Sequence, residues 1–192
     1  MSVKHLVRVL PVVVSLAAFA STAAAAPVLG NPVGAVPTSD FCKVLKCKST
    51  PATSMTLKSG EKLSVTAYRL QAVKNPTVVS IASGADGNGR LAVVSWYRGK
   101  TLEDFNIIPA LTAFLTGAKV DVKAFESCLT SSTAATLAKR LTYKNFSAII
   151  TCKRDVVAPA KATASQALLY PKTTLAFTME PPKAATTTPS GK

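Results

Sequence analysis

The four cysteines of this 192-residue chain constrain its fold most, because an exported chain is expected to pair them as disulfides. They are Cys42, Cys47, Cys128 and Cys152. Residues 1–26 have the parts of a secretory signal peptide: a basic start, an apolar stretch and a run of small residues suited to cleavage. We therefore expect the protein to be exported, to the periplasm or the extracellular medium.

The alternative for this first segment is an uncleaved membrane anchor. Its apolar stretch, residues 9–20, is shorter than the roughly 20 residues that a helix needs to cross a bilayer. Cleavage, with Ala25 as the last residue removed, is therefore the preferred interpretation. No cysteine lies near the end of the apolar stretch, so a lipoprotein anchor is not expected.

The preferred pairing of the cysteines is Cys42–Cys47 and Cys128–Cys152, one of the three that four cysteines allow. The second pair would join a predicted helix to a predicted strand and constrain the unfolded chain more. If residues 39–48 formed one helix, however, Cys42 and Cys47 would point to different faces, and each would have to reach one of the other two. A zinc site of all four is disfavoured because the CxxC pairs typical of such sites are absent.

The charge of the chain indicates a class of partner. It has 23 Lys and Arg residues against 9 Asp and Glu residues, and its formal net charge is +14. Cleavage would remove Lys4 and Arg8 and leave 21 − 9 = +12. A field of this size attracts anionic polymers such as nucleic acid, anionic lipid surfaces and acidic wall or capsule polymers. The alternative is that the lysines only keep the surface soluble.

The lack of histidine limits the possible chemistry. The one histidine, His5, lies in the predicted signal peptide, so the mature chain has no imidazole for Ser-His-Asp or Cys-His catalysis. Residues 59–62 match the S-x-x-K spacing of serine β-lactamases, but they fall in a predicted turn between strands. The companion S-D-N and K-T-G motifs are absent. We predict that the protein is not an enzyme and has no cofactor and no metal site.

The order of the predicted elements indicates a single α+β domain over residues 39–180. We expect an antiparallel sheet with two or three helices packed on one face, stabilised by disulfides. The clearest local pattern is a β-hairpin formed by residues 77–82 and 90–98 around a glycine-rich turn. Residues 27–38 are expected to form an extended or mobile N-terminal segment, and residues 181–192 a disordered tail.

Helices are expected in the middle of the chain. Residues 101–115 have a helical pattern, in which Pro109 either kinks the helix or splits it so that a second half begins there. Asp121 can cap a second helix. A third helix is expected from residues 131–132 onward, with Leu137 on its apolar side. Near the end of the chain, apolar stretches around Pro171 predict a second β-hairpin, whose first strand would be residues 166–170.

Basic residues interleaved with aromatic residues form the candidate binding site. Single-stranded nucleic acid is held by cations that neutralise phosphates and by exposed rings that stack on bases. Alternate side chains of a strand share one face of a sheet, so strands can present such groups together. The predicted phosphate contacts are Arg69, Arg98, Lys100, Arg140, Lys144 and Arg154. The predicted stacking residues are Tyr68, Trp96, Tyr97 and Tyr143.

Two hypotheses for the function follow. The first is an exported, non-enzymatic binding protein for an anionic polymer, preferably single-stranded DNA or RNA with little sequence preference. No RNP, KH, zinc-finger or helix-turn-helix pattern accompanies it. The second is a structural or interaction protein of the cell envelope that binds an acidic wall or membrane surface, or a protein partner. For the aromatic residues the alternative is burial, because one Trp in a small domain is most often a core residue.

Overall fold

A single antiparallel sheet forms the centre of the protein. The computed structural model describes residues 26–143 and 146–179. Its strands are β1 Cys47–Ser49, β2 Thr53–Thr56, β3 Lys62–Leu70, β4 Thr77–Ser83, β5 Gly89–Tyr97, β6 Ala135–Tyr143, β7 Phe146–Asp155 and β8 Lys172–Met179. The strand order is β1-β3-β4-β5-β8-β7-β6, and β2 also pairs with β3. The predicted α+β fold is confirmed. The predicted tail and the predicted signal peptide, apart from Ala26, lie outside the described residues.

The predicted β4–β5 hairpin is present and is central to the core. In β5, Ala92, Val94 and Trp96 alternate along the strand and are fully buried, as expected for a strand with one face against the core. The connecting turn includes Gly87 at a φ of 76°, a conformation that favours glycine. A register shift between Ala82 and Ser83 marks a bulge beside this turn.

Short helices cover one face of the sheet. They are α1 Asp40–Leu45, α2 Ile108–Thr116 and α3 Glu126–Leu129, with 3₁₀ turns at Val33–Thr38, Leu102–Phe105 and Val122–Phe125. A fourth helix, α4 Ala164–Ala167, lies between β7 and β8 and contributes no buried residue. α1, α2 and α3 contribute buried side chains to the same core cluster as the strands. The predicted helix around Pro109 is split, because this proline occupies the first turn of α2, where its missing N–H is not needed.

The pairing Cys42–Cys47 is confirmed, and the geometry answers the objection to it. Helix α1 ends at Leu45, and Lys46 follows with a φ of 49°, in the left-handed region. This residue reverses the chain, so Cys47 begins β1 instead of a further helical turn. The Cα atoms of the two cysteines are therefore 4.8 Å apart, within the range that a disulfide spans.

The pairing Cys128–Cys152 is confirmed as well. It joins α3 to β7, with the Cα atoms 6.4 Å apart and both residues buried. All cysteines of the chain are thus paired, which is typical of a protein that folds in a non-reducing compartment. Within the described ranges, no helix has the length and apolar character needed to span a membrane.

The third helix, predicted from residues 131–132 onward, is wrong because Ala135–Tyr143 form strand β6. Leu137 and Leu141 lie four positions apart, a spacing that fits one side of a helix and equally one face of a strand. Both are partly buried, and they pair with Cys152 and Ala148 of β7. The long pairing with β7 outweighed local helix propensity, as tertiary context often does.

The predicted first strand of the second hairpin is also wrong. Residues 166–170 contain the end of α4 and a following turn. The reason is a capping box: Gln166 N–H donates to the Thr163 hydroxyl, and the Gln166 side chain accepts from the Thr163 N–H. β8 pairs instead with β7, the strand that precedes it, and with β5, which comes from a distant part of the chain.

The N-terminal segment, predicted to be extended or mobile, packs onto the domain. Val28 and Leu29 are buried, and their N–H groups donate to the carbonyls of Phe114 and Leu115 at the end of α2. A Cβ atom on Gly89 would lie 2.6 Å from the Val28 carbonyl oxygen. The glycine therefore allows this close approach of the segment to the hairpin.

Asp104 organises the turn before α2. One carboxylate oxygen accepts hydrogen bonds from the N–H groups of Lys100 and Thr101 at 2.8 and 3.0 Å, and the other accepts from the Asn75 amide at 2.7 Å. Lys74 lies 3.8 Å away. Desolvation alone would raise the pKa of Asp104, but these donors outweigh it and lower the pKa to about 2.

Replacing this carboxylate should make the protein less stable in a pH-dependent way. We expect Asp104→Ala to lower the free energy of unfolding by about 2 kcal/mol at pH 7. The folded-state pKa lies below the usual 3.8, so this stabilisation is present above about pH 4 and is lost as the pH falls towards 2. Urea denaturation at pH 7 and pH 2.5 measures the difference. The exposed neighbour Glu103→Ala is the control, and an equal loss in both variants would contradict the role of Asp104.

Candidate polyanion-binding site

The face of the sheet that points away from the helices is called here the open face. Because side chains alternate along a strand, residues next to the buried Val79, Val94 and Trp96 point to this other side. Among them, Val78 and Val93 are partly exposed. The open face is therefore accessible around these two positions.

Four cations of the open face, called here the basic row, lie near one end of the strands. They are Lys48, Arg69, Lys153 and Lys172. Arg69 pairs across the strands with Lys48 on one side and Val78 on the other. The same register line continues through Ser95 and Thr174 to Lys153. Lys172 lies two residues from Thr174 along β8, opposite Tyr97 and Asp155.

The spacing of the basic row suits an extended partner. Arg69 and Lys153 are separated by four strand-to-strand steps of about 4.8 Å, or about 19 Å. The register positions between them hold Val78, Ser95 and Thr174, which are small side chains. A chain that crosses the strands along this line would meet cations at both ends and little obstruction between them.

The strands carry far more positive than negative charge. Within the described strands there is one acidic residue, Asp155, whose carboxylate lies 3.1 Å from the Lys153 ammonium. The same strands hold nine cations: Lys48, Lys62, Arg69, Arg90, Lys139, Arg140, Lys153, Arg154 and Lys172. Exposed ion pairs such as Lys153–Asp155 are weak, so this one leaves the field of the row largely intact.

Tyr97 is the predicted stacking residue that the structure places beside the basic row. It ends β5 on the open face and is partly exposed. The Lys172 ammonium lies 5.8 Å from the centre of its ring, within the range of a cation–π contact. An aromatic ring and a cation are therefore presented together at this end of the sheet.

Tyr68 and Trp96 do not fit the predicted stacking role, because both point to the helical side and are buried. Trp96 is 1% exposed, and its ring meets that of Phe105 edge to face, with centroids 5.7 Å apart. Among the described residues, its indole nitrogen is the buried side-chain polar atom without a hydrogen-bond partner. Tyr68 is buried beside Val79, and burial raises the pKa of its hydroxyl. Neither ring can stack on a base in this structure.

Arg154 does not fit the predicted phosphate-binding role, because its side chain is buried and already bound. Its Nε donates to the Ser131 carbonyl at 2.7 Å, and one terminal nitrogen donates to the Gly99 carbonyl and the Thr173 hydroxyl at 3.1 and 2.8 Å. Desolvation by burial lowers the pKa of the guanidinium. Arg154 thus connects three parts of the chain from inside the protein.

The other predicted residues are spread over the structure. Arg98 and Lys100 are exposed in the loop after β5, and the Arg98 Nε donates to the Leu168 carbonyl at 2.8 Å. Arg140 is exposed on the open face opposite Ile149, two register steps away from the basic row. Tyr143 ends β6, but its side chain and Lys144 lie outside what the structure describes.

Three members of the basic row, Lys48, Lys153 and Lys172, were missed in the sequence, although a signal for Lys153 was present. Cys152 was predicted to bond to a helix, so the residues two positions away should share its buried face and the adjacent Lys153 should point outward. The same alternation assigns Arg154 to the interior. For Lys48 and Lys172 no local signal exists, because their position depends on which strands become neighbours.

The described residues show no other built site. No three His, Cys, Asp or Glu side chains come together there as metal ligands could. An open depression of 480 Å³ lies at one end of β2 and β3, beside Ser54, Lys62 and Ser64. Ser59 lies in the turn before β3 and not on a helix, so the S-x-x-K match lacks the helical geometry of its namesake.

Comparisons of the chain with family models, with curated proteins and with solved structures found no match.

The buried position of Arg154 predicts a structural and not a binding phenotype. We expect Arg154→Met to lower the free energy of unfolding by about 2–4 kcal/mol, because it removes three hydrogen bonds from a charged donor and leaves buried carbonyls unpaired. Urea denaturation measures this loss. Arg69→Met, which removes an exposed cation from the same sheet, should cost less than about 0.5 kcal/mol. Equal losses in the two variants would show that the Arg154 contacts contribute nothing.

Proposed function

We propose that the protein binds an anionic polymer through the basic row on the open face of its sheet. The observation that supports this best is the charge imbalance of the strands, where a single acidic residue accompanies eight accessible cations, besides the buried Arg154, in the described parts. The cations of the basic row lie near one end of the strands and concentrate positive potential on an accessible surface. Binding of this kind needs no catalytic group, so the proposed role is non-enzymatic.

Nucleic acid is the polymer that we propose, held mainly through its phosphates. The burial of Tyr68 and Trp96 removes two of the predicted stacking rings, and Tyr97 supplies the stacking contact on the open face. Stacking on a ring requires an unpaired base, so a preference for single strands would depend on Tyr97. Phosphate contacts carry no sequence information, so little sequence preference is expected.

Export of the protein is part of this proposal. The two disulfides and the absence of unpaired cysteines support folding in an oxidising compartment. The signal-like first segment supports the same route. The polymer would then be met in the periplasm or outside the cell.

A charge-matched pair of variants tests the position of the site. We expect the double variant Lys48→Gln, Arg69→Gln to lower the affinity for single-stranded DNA at least about tenfold and to reduce the slope of log K against log salt by about 1.5. Fluorescence anisotropy at several salt concentrations measures both quantities. Lys119→Gln, Lys123→Gln removes the same charge from the helical side and should change affinity by less than about threefold. If the two double variants behave alike, net charge and not the basic row controls binding.

The identity of the polymer is tested with three ligands: single-stranded DNA, double-stranded DNA and heparin. Tighter binding of single-stranded DNA than of heparin, reduced by Tyr97→Ala, would support the nucleic-acid site. Equal binding of all three would leave a general polyanion site and contradict the nucleic-acid part of the proposal.

A second candidate function is supported by the apolar content of the same face. Val65, Leu91, Val93 and Ile149 are partly exposed on it, and contiguous apolar surface often marks a protein contact. The protein would then be a component of the cell envelope with a protein partner or an acidic surface. The test is co-sedimentation with envelope fractions. Release of the protein by salt, but not by nuclease, would favour this function over the first.

A further inference from the structure

The connection between β7 and β8, residues 156–171, projects from one end of the sheet. Its two ends are fixed close together, because Asp155 and Lys172 are register partners in neighbouring strands. The connection contains α4, which begins with the capping box of Thr163. Arg98 secures its far end: the N–H of Arg98 donates to the Pro171 carbonyl at 2.8 Å, and its side chain donates to the Leu168 carbonyl. This segment is called here the β7–β8 loop.

The β7–β8 loop carries the most exposed large apolar side chains of the described residues. Val157 is 79% exposed and Leu168 is 68% exposed. α4 contributes no buried residue to the core, so the helix is not held by packing against the sheet. Val157 and Leu168, the residue after α4, are thus left largely exposed to solvent.

The surroundings of the loop are positively charged. No Asp or Glu occurs between residues 156 and 179, and the acidic residue at the base of the loop, Asp155, is ion-paired with Lys153. Lys161 is exposed within the loop, and Arg98, Lys153 and Lys172 lie on the loop and strand ends from which it projects. Exposed apolar side chains and cations in one segment are the two signals that together bind a peripheral protein to an anionic membrane.

We propose that the β7–β8 loop binds the surface of an anionic lipid bilayer. Val157 and Leu168 enter the interface between headgroups and acyl chains, and the cations at the base of the loop contact the lipid phosphates. Exposed apolar side chains gain nothing from the phosphates of a nucleic acid, so they favour a lipid as the occupant. A stable protein contact would need about 1,000 Å² of buried surface, more than two separate apolar side chains provide. This inference goes beyond polymer binding by the basic row and does not depend on it.

The test uses the full disulfide-bonded chain and vesicles of phosphatidylglycerol and phosphatidylcholine in equal parts. We expect Val157→Ser, Leu168→Ser to lower the affinity for these vesicles at least about tenfold. The matched control is Val44→Ser, Met55→Ser, which removes the other exposed large apolar side chains of the described ranges, 47% and 37% exposed on α1 and β2. Co-flotation at low and high salt measures binding. Equal binding of the two double variants, or no binding of the unaltered protein, would overturn the proposal.

A fluorescent reporter locates the contact directly. In Leu168→Trp the new indole should shift its emission to shorter wavelength on addition of anionic vesicles, while the native Trp96 is buried and should not respond. A control Val44→Trp should show no shift. A shift at both positions, or at neither, would contradict insertion of this loop.

Parallel titrations with single-stranded DNA separate this inference from the proposed function. Val157→Ser, Leu168→Ser should keep the DNA affinity within about twofold, because no phosphate contact is removed. Vesicle binding without DNA binding would support the loop and contradict the basic row. DNA binding without vesicle binding would support the basic row and contradict the loop.

Discussion

The anchoring of β7 from the helical side is the constraint on which the rest of the structure depends. Cys152 is bonded to α3, and two residues later the buried Arg154 binds the carbonyls of Ser131 and Gly99. Lys153, between them, must therefore point to the open face. Because β8 pairs with β7 along eight residues, the same anchoring determines where Lys172 lies. The interior contacts thus orient the cations of the exterior.

Burying the Arg154 guanidinium among uncharged groups is energetically demanding. The hydrogen-bond acceptors that surround it explain the local architecture. The guanidinium keeps its charge and replaces water with carbonyl and hydroxyl acceptors. Those acceptors come from the loop after β5, the segment before β6 and the strand β8. One side chain therefore joins regions that no stretch of local sequence would bring together. An apolar residue of similar length would pack there but would leave these carbonyls unpaired.

The parts of the fold that local sequence determines were predictable, and the parts that depend on strand neighbours were not. The β4–β5 hairpin follows from its turn residues. Proline geometry limited the helix at Pro109 to a kink or a split, and cysteine spacing favoured the observed disulfides without excluding the other pairings. The helix predicted from residues 131–132 was wrong because the spacing of Leu137 and Leu141 fits the periodicity of a helix and that of a strand equally well. The hairpin predicted around Pro171 failed for a different reason: residues 164–167 form the capped helix α4, so β8 pairs with the earlier strand β7 and with the distant strand β5, which nothing near residue 172 encodes. Burial of Trp96 followed the common behaviour of a single tryptophan.

The same limit applies to the candidate site. Arg69 and Tyr97 were identified from basic and aromatic neighbours, but adjacent residues in a strand face opposite ways, so each such pair contains one exposed and one buried member. In Tyr68–Arg69 and Trp96–Tyr97 the first residue is buried, and in Lys153–Arg154 the second is. A local motif cannot distinguish these cases until one residue of the strand has been assigned to a face.

The geometry also couples the two proposed surfaces. Lys153 and Lys172 belong to the basic row and, at the same time, lie at the base of the β7–β8 loop. A polymer held along the row and a bilayer held at the loop would both need these two cations. Phosphates of the polymer and of the lipid would compete for the same two lysines. Binding of either partner should therefore weaken binding of the other. The arrangement therefore favours alternating contact with polymer and membrane over simultaneous bridging, with the end of the sheet at Lys172 as the shared point.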